Sequence, residues 1–176
     1  VLYAPTWEGD RDAAAYGSIA SHGVTLVNGL LETGKHRVIY RPHPRSGVVD
    51  EEYKRANESI ISAIASANAR DETAQHIYDD GPSMGWQLAA ADVAITDVSA
   101  MVYDRLAVGK PLLIARPVNS AAEIDTEGYL GAAEWLDAAD VADVVAIVDR
   151  VQNSPEAQER LEHWVTRHFG DTTPGE

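Results

Sequence analysis

DVAITDVSAMVYDRLAVGKPLLIAR, Asp92 to Arg116, reads as strand, polar turn, helix and second strand. Val93, Ala94 and Ile95 form a short apolar run of the kind buried in a parallel sheet, and Thr96-Asp97-Val98-Ser99 is polar enough to end it. Ser99 stands at an N-cap position. After it Met101, Val102, Leu106 and Val108 recur at roughly helical spacing, Gly109 supplies a stop, and Pro111-Leu-Leu-Ile-Ala opens the next strand. The unit is β-α-β. In open α/β sheets ligands bind beyond the carboxyl ends of the strands, so Asp97, Ser99 and the free N–H groups of Ala100 and Met101 are expected to face an anion. Taken alone, the segment has two readings: a phosphate cradle, or a serine that caps a helix and does nothing else.

The rest of the chain repeats the alternation. Strands are expected at Val1 to Ala4, Arg37 to Arg41, Gln75 to Tyr78, Val93 to Thr96 and Leu112 to Arg116, with a short sixth at Glu134-Trp-Leu. Helices are expected at Gly17 to Leu31, Glu51 to Ala69, Trp86 to Ala90, Ala139 to Gln152 and Pro155 to Phe169, the last with proline at its first position. Residues 117–132 read as a glycine-containing loop. Together these predict an α/β fold, a Rossmann-like doubly wound parallel sheet in one domain over residues 1–176. The GxGxxG fingerprint is missing after the first strand, which argues against a dinucleotide.

Charge narrows the partners. A net charge of −14 over 176 residues is opposed to nucleic-acid binding, which needs a basic face, and to direct attachment to an anionic membrane surface. Residues 121–176 hold 13 acids against 3 bases, while half of the Lys and Arg lie in the first 60 residues, so an anionic ligand belongs with the N-terminal half. No cysteine is present to build a disulfide scaffold or a thiolate metal site. No apolar run approaches the ~20 residues of a membrane helix. A chain that opens inside the strand-like VLYAP and stops in DTTPGE reads as a piece of a longer protein.

Arg41-Pro42-His43-Pro44 follows the second strand, which sets His43 at the carboxyl edge of the sheet, stiffened by a proline on each side. A loop histidine in water is the plain alternative; sharing an edge with Asp97 and Ser99 favours a role. His22, His36, His76, His163 and His168 lack the spacing and context of a metal site and read as structural or solvated. Asp80 lies in a turn after the third strand and is a candidate ligand contact. Asp104, five residues beyond Ser99, is a candidate for ribose hydroxyls, or else an ion-pair partner. Thr6 and Trp7, just past the first strand, complete the edge, with Trp7 suited to stacking on a base or to a domain seam.

YAPTW at 3–7, RPHP at 41–44 and ADVAITDVSAMVYDRLAVGKPLL at 91–113 together resemble, in order and spacing, the CDP-glycerol glycerophosphotransferases of teichoic acid synthesis. In that family the segments are similar to YAPTWR, RPHP and SDVLITDYSSVxFDxxxLxKPxI, in the nucleotide-binding C-terminal half of a GT-B fold. The likeness covers most of residues 1–116. Val98 stands where the family commonly has Tyr, Ala100 replaces a second Ser, Tyr103 replaces Phe, and Glu8 stands where a basic residue is usual. The resemblance implies transfer of glycerol phosphate from CDP-glycerol to a hydroxyl of a lipid-linked polyol-phosphate acceptor, releasing CMP. His43 would stabilise the diphosphate as the catalytic residue. Ser99 with the Ala100 and Met101 amides, beside Asp97, would hold phosphate, Asp104 and Asp80 the nucleoside, and Thr6, Trp7 and Arg41 would touch substrate.

The same resemblance implies no cofactor other than the donor substrate, names no metal ligand, and leaves a metal requirement open. It places the whole protein in the cytoplasm, peripheral at the inner face of the plasma membrane. The general base would come from an N-terminal half, so this chain alone is expected to bind nucleotide without turnover. Two rival readings remain: a GT-B enzyme using another nucleotide sugar, of the CMP-sialic acid transferase or UDP-sugar epimerase type, and a noncatalytic α/β module.

Overall fold

The computed structural model describes residues 1–170, so the DTTPGE end and the last six residues of the expected domain lie outside the described residues. Strands and helices alternate as β1 (Leu2–Ala4), α1 (Val24–Thr33), β2 (Ile39–Tyr40), α2 (Glu51–Arg70), β3 (Ile77–Tyr78), α3 (Trp86–Ala90), β4 (Ala94–Thr96), α4 (Ala100–Val108), β5 (Leu112–Ala115), β6 (Glu134–Leu136), α5 (Val144–Asn153) and α6 (Pro155–Phe169). All pairings are parallel, in the order β3-β2-β1-β4-β5-β6. Tyr3 sits in register between Tyr40 and Ile95.

Strand alternation sorts the core into two layers. Tyr3, Val38, Tyr40, Val93, Ile95 and Leu113 pack with Leu26 and Leu30 of α1, Ile60 and Ile64 of α2, and Val144 and Val148 of α5. Leu2, Ala4, Ile39, Ala94, Leu112 and Ile114 pack with Leu88 of α3, Val102 and Leu106 of α4, and Leu161 and Val165 of α6. Both faces of the sheet are therefore covered, which is why its strands read as short apolar runs rather than as an alternating pattern. The local signals act as expected. Asp50 caps α2, its carboxylate accepting from the N–H groups of Glu52 and Tyr53 at 2.8 and 2.9 Å. Gly109 closes α4 in the left-handed region, and Ser154 caps α6 with Pro155 following it.

Several boundaries differ from expectation: α5 begins at Val144 after a 3-10 turn at Val141–Asp143 instead of at Ala139, and β2 is shorter than Arg37 to Arg41. The first helix starts later than Gly17, with a π-helical turn at Ile19–Gly23 leading into α1. Gly17 lies outside it because the chain there presses against its neighbours: a Cβ would meet the Tyr53 hydroxyl at 2.2 Å and the Trp7 carbonyl oxygen at 2.8 Å. The third strand begins at Ile77, because Gln75 holds a positive φ of 51°. Asn68 then fixes His76, accepting from its N–H at 2.9 Å and donating to its carbonyl at 2.8 Å. Among the described residues no helix is long and apolar enough to cross a membrane.

Candidate functional site

Two strand ends and a helix start enclose a cavity of about 440 Å³. Ala4, Pro5 and Thr6 enter it from β1, Arg41, Pro42, His43 and Pro44 from β2, Ser99, Ala100 and Met101 from the first turn of α4, and Met84 closes the side before α3. The cavity straddles β1 and β4, where the strand order changes direction, the place at which open α/β sheets bind ligands. A larger cavity, about 650 Å³, opens at the amino ends of the strands. Its basic side chains already have partners: Lys35 Nζ and His36 Nε2 lie 3.9 and 3.3 Å from Asp149, and Arg37 Nε donates to the Ala74 carbonyl. The switch-point cavity, which gathers the candidate residues, is the candidate site.

Ser99 is extended, and its Oγ accepts from the Met101 N–H at 3.3 Å. The hydroxyl hydrogen is left to donate. The Ala100 N–H is one of the first-turn donors that a helix cannot satisfy itself, and the positive end of the α4 dipole lies there. His43 donates its main-chain N–H to the Pro5 carbonyl at 3.2 Å, while its Nδ1 accepts from the Arg45 N–H at 3.1 Å. An imidazole that accepts at Nδ1 carries its proton on Nε2. Partial burial of the ring and the Arg45 charge hold its pKa below the ordinary histidine value, with Glu8 opposing them. At neutral pH His43 is thus an uncharged ring with an Nε2–H donor.

Arg41 lines the cavity with its charge already matched. Its Nη1 lies 2.9 Å from Asp79 Oδ2, and both side chains are mostly buried. Asp79 also accepts from Gln87 Nε2 and from the Gly81 N–H. Partial burial raises the Asp79 pKa, but these hydrogen bonds and the Arg41 charge outweigh it and hold the carboxyl below its usual value. The remaining histidines are structural: His22 Nε2 lies 3.1 Å from the Leu136 carbonyl, and His76 Nδ1 accepts from the Val38 N–H. His163 and His168 pack around Trp164. Among the described residues no group of three or more His, Asp or Glu side chains is gathered as a metal ion would require.

Thr6, Arg41, His43, Ser99, Ala100 and Met101 are brought together at the cavity; four other candidates are placed elsewhere. Asp97 is fully buried and turned inward, its Oδ2 accepting from the Thr6 N–H at 2.7 Å and the Ser18 N–H at 3.1 Å. It pins the segment after β1 instead of lining the cavity. Asp104 is exposed outside the cavity, since five residues of helix turn it roughly 140° away from Ser99. Asp80 is exposed on the loop after β3. Trp7 does not line the cavity, and one face of its ring lies under the Arg45 guanidinium, 3.8 Å from the centroid.

Sequence reasoning missed several supports. Tyr53, in the first turn of α2, donates its hydroxyl to the Thr6 carbonyl at 2.7 Å. Tyr3 and Ser18 share a hydrogen bond at 2.7 Å beneath the site. A tyrosine on each of two otherwise apolar faces was the available signal, because a buried hydroxyl needs a partner. Neither Asp79 nor Met84 carried a signal beyond its loop position.

The fold is shared with known proteins at low identity. The α,α-trehalose-phosphate synthase (UDP-forming) of Burkholderia vietnamiensis superposes with a TM-score of 0.62 at 15% identity, covering 94% of this chain and 40% of that one. The enzyme of Burkholderia xenovorans, solved with glucose-6-phosphate, gives 0.56 at 12% identity over 94% and 39%. The α,α-trehalose 6-phosphate synthase of Burkholderia multivorans gives 0.56 at 17% identity over 94% and 38%. These neighbours are GT-B glycosyltransferases, and the present sheet is one half of that fold. The chain spans about two-fifths of their length. No curated protein sequence matches it. The family model for CDP-Glycerol:Poly(glycerophosphate) glycerophosphotransferase matches residues 1–169, and the chain therefore belongs to that family.

Proposed function

We propose that this domain binds CDP-glycerol and forms the donor side of a glycerophosphotransferase. One observation carries the reading: His43, with Nε2–H as its donor, and the Ser99-capped start of α4 line one cavity at the switch point. Uncharged donors and a helix terminus suit a diphosphate whose charge must shift during reaction. In the proposed step an acceptor hydroxyl oxygen attacks the phosphorus that bears glycerol. The bond from that phosphorus to the bridging oxygen breaks, CMP leaves with the oxygen, and the hydroxyl proton passes to a base contributed by the other half of the enzyme. His43 Nε2–H donates to the diphosphate as charge builds on the leaving group. The Ser99 hydroxyl and the Ala100 amide hold the phosphates, while the Met101 amide is kept by its bond to Ser99 Oγ. The acceptor is a lipid-linked polyol phosphate of a teichoic-acid-like polymer at the inner face of the plasma membrane. The domain by itself binds donor without turnover.

Calorimetric titration with CDP-glycerol, CMP and UDP tests this. Cytidine nucleotides are expected to bind more tightly than UDP, and His43→Ala and Ser99→Ala are each expected to weaken CDP-glycerol by roughly 10-fold, the loss of one hydrogen bond to a charged group. Tighter binding of UDP would favour a nucleotide-sugar enzyme. Unchanged affinity in both variants would leave a noncatalytic module.

A further inference from the structure

Three main-chain N–H groups between β2 and α2 converge on one carboxylate. Glu8 Oε2 accepts from Gly47 at 2.9 Å, and Oε1 accepts from Val49 at 3.0 Å and Asp50 at 3.3 Å. Beside it, Trp7 supports the Arg45 guanidinium, and Pro5 accepts the His43 N–H. The segments after β1 and β2 are thereby laced together along residues 5–8 and 43–50. Within the second segment two main-chain turn hydrogen bonds add to this, Ser46 N–H to the His43 carbonyl at 2.9 Å and Val48 N–H to the Arg45 carbonyl at 3.2 Å. The segment contains neither strand nor helix, and Val48 and Val49 expose about two-thirds of their surface, 67% and 66%. Gly47 has a φ of 77°, and a Cβ there would stand 2.6 Å from the Lys54 Cα, so the chain is pressed onto α2 at a point where only glycine fits.

The first segment is firm, because Thr6 is held through its N–H by Asp97 and through its carbonyl by Tyr53. A cation at position 8 could accept none of the three N–H groups. We propose that Glu8 is a positioning residue: its carboxylate latches the 43–50 segment so that the Arg45 N–H stays on His43 Nδ1, fixing the ring with its proton on Nε2. Arg45 lies between the two anchors, its side chain on Trp7 and its main chain two residues before Gly47, so loss of the carboxylate frees the N–H that sets the ring. Only the last consequence, a weaker hold on CDP-glycerol, rests on the donor-binding reading.

The test uses 15N-labelled histidine in the intact chain, with His43 identified by the resonance lost in His43→Gln. In the wild type, His43 Nδ1 is expected to resonate as the bare nitrogen and Nε2 as the protonated one; the reverse pattern overturns the proposal without any variant. Glu8→Gln keeps the size but turns an amide N–H₂ toward the converging donors. It is expected to mix the two tautomers, speed amide exchange at Gly47, Val49 and Asp50 by roughly 10-fold, and weaken CDP-glycerol about 3- to 10-fold. Glu8→Asp, which keeps an acceptor-only carboxylate, is expected to restore part of the wild-type pattern. An unchanged tautomer and unchanged exchange in Glu8→Gln overturn the latch. A shifted tautomer with unchanged CDP-glycerol affinity supports the latch and removes His43 from donor binding.

Discussion

Arg105→Leu is expected to destabilise the domain by about 3–5 kcal/mol, a loss of roughly 10 °C in Tm for a chain of this size. Arg105 is fully buried in α4. Its Nη1 donates to the carbonyls of Leu88 and Ala91, its Nη2 to those of Asp92 and Pro111, and its Nε also to Pro111. The guanidinium therefore ties the end of α3, the approach to β4 and the start of β5 to one helix. Replacing a buried ion pair by apolar groups can be neutral when both partners go. Here the partners are main-chain carbonyls that no substitution removes, so leucine leaves them without donors. Burial lowers the Arg105 pKa to about 10, with Asp92 opposing, and the group remains charged at neutral pH. Arg105→Lys, with three donors and no planar fork, is expected to recover less than half of the loss. Thermal unfolding followed by circular dichroism measures both; a shift below about 3 °C for leucine would show that the clamp contributes little.

Asp97→Asn is expected to change how stability depends on pH. Desolvation raises the Asp97 pKa from 3.8 to about 7, against the hydrogen bonds from Ser18 and Thr6 that lower it. A carboxyl raised in the fold contributes fully below its unfolded pKa and loses that contribution as pH climbs through the folded value. From pH 5 to pH 8 the wild type should therefore lose on the order of 2 kcal/mol relative to Asp97→Asn. Asparagine keeps an oxygen to accept from Thr6 and Ser18 and carries no charge to desolvate. Burial lowers the His22 pKa, which gives the opposite slope, but this cancels in the difference between the two proteins. Urea unfolding at unit steps of pH reads the result, and parallel profiles would mean that Asp97 does not titrate in this range.

The expected elements match the structure closely because their signals are local. Ser99, Gly109, Asp50 and Pro155 act on groups within one helical turn, and the apolar runs of β1, β4 and β5 need only a covered sheet to be buried. The RPHP histidine and the Ser99 turn followed from the rule that strand ends share one edge, and the cavity contains both. Asp104 was harder to place, since a separation of five residues brings it near Ser99 in sequence but around the helix from it in space.

Sequence by itself determined the doubly wound class, the sheet edge that carries the candidate residues, and the residue types of the turn before α4. Those follow from periodicity, caps and strand order within a few residues. Only the tertiary structure decided that Asp97 turns inward to Thr6, 91 residues away, that Glu8 reaches Gly47 across 39, and that Arg105 is the clamp beneath α4. A carboxylate or guanidinium reads alike in sequence whether it faces solvent, substrate or main chain. Its role is set by which donors and acceptors the folded chain brings to it, because a buried charge persists only where such partners meet it.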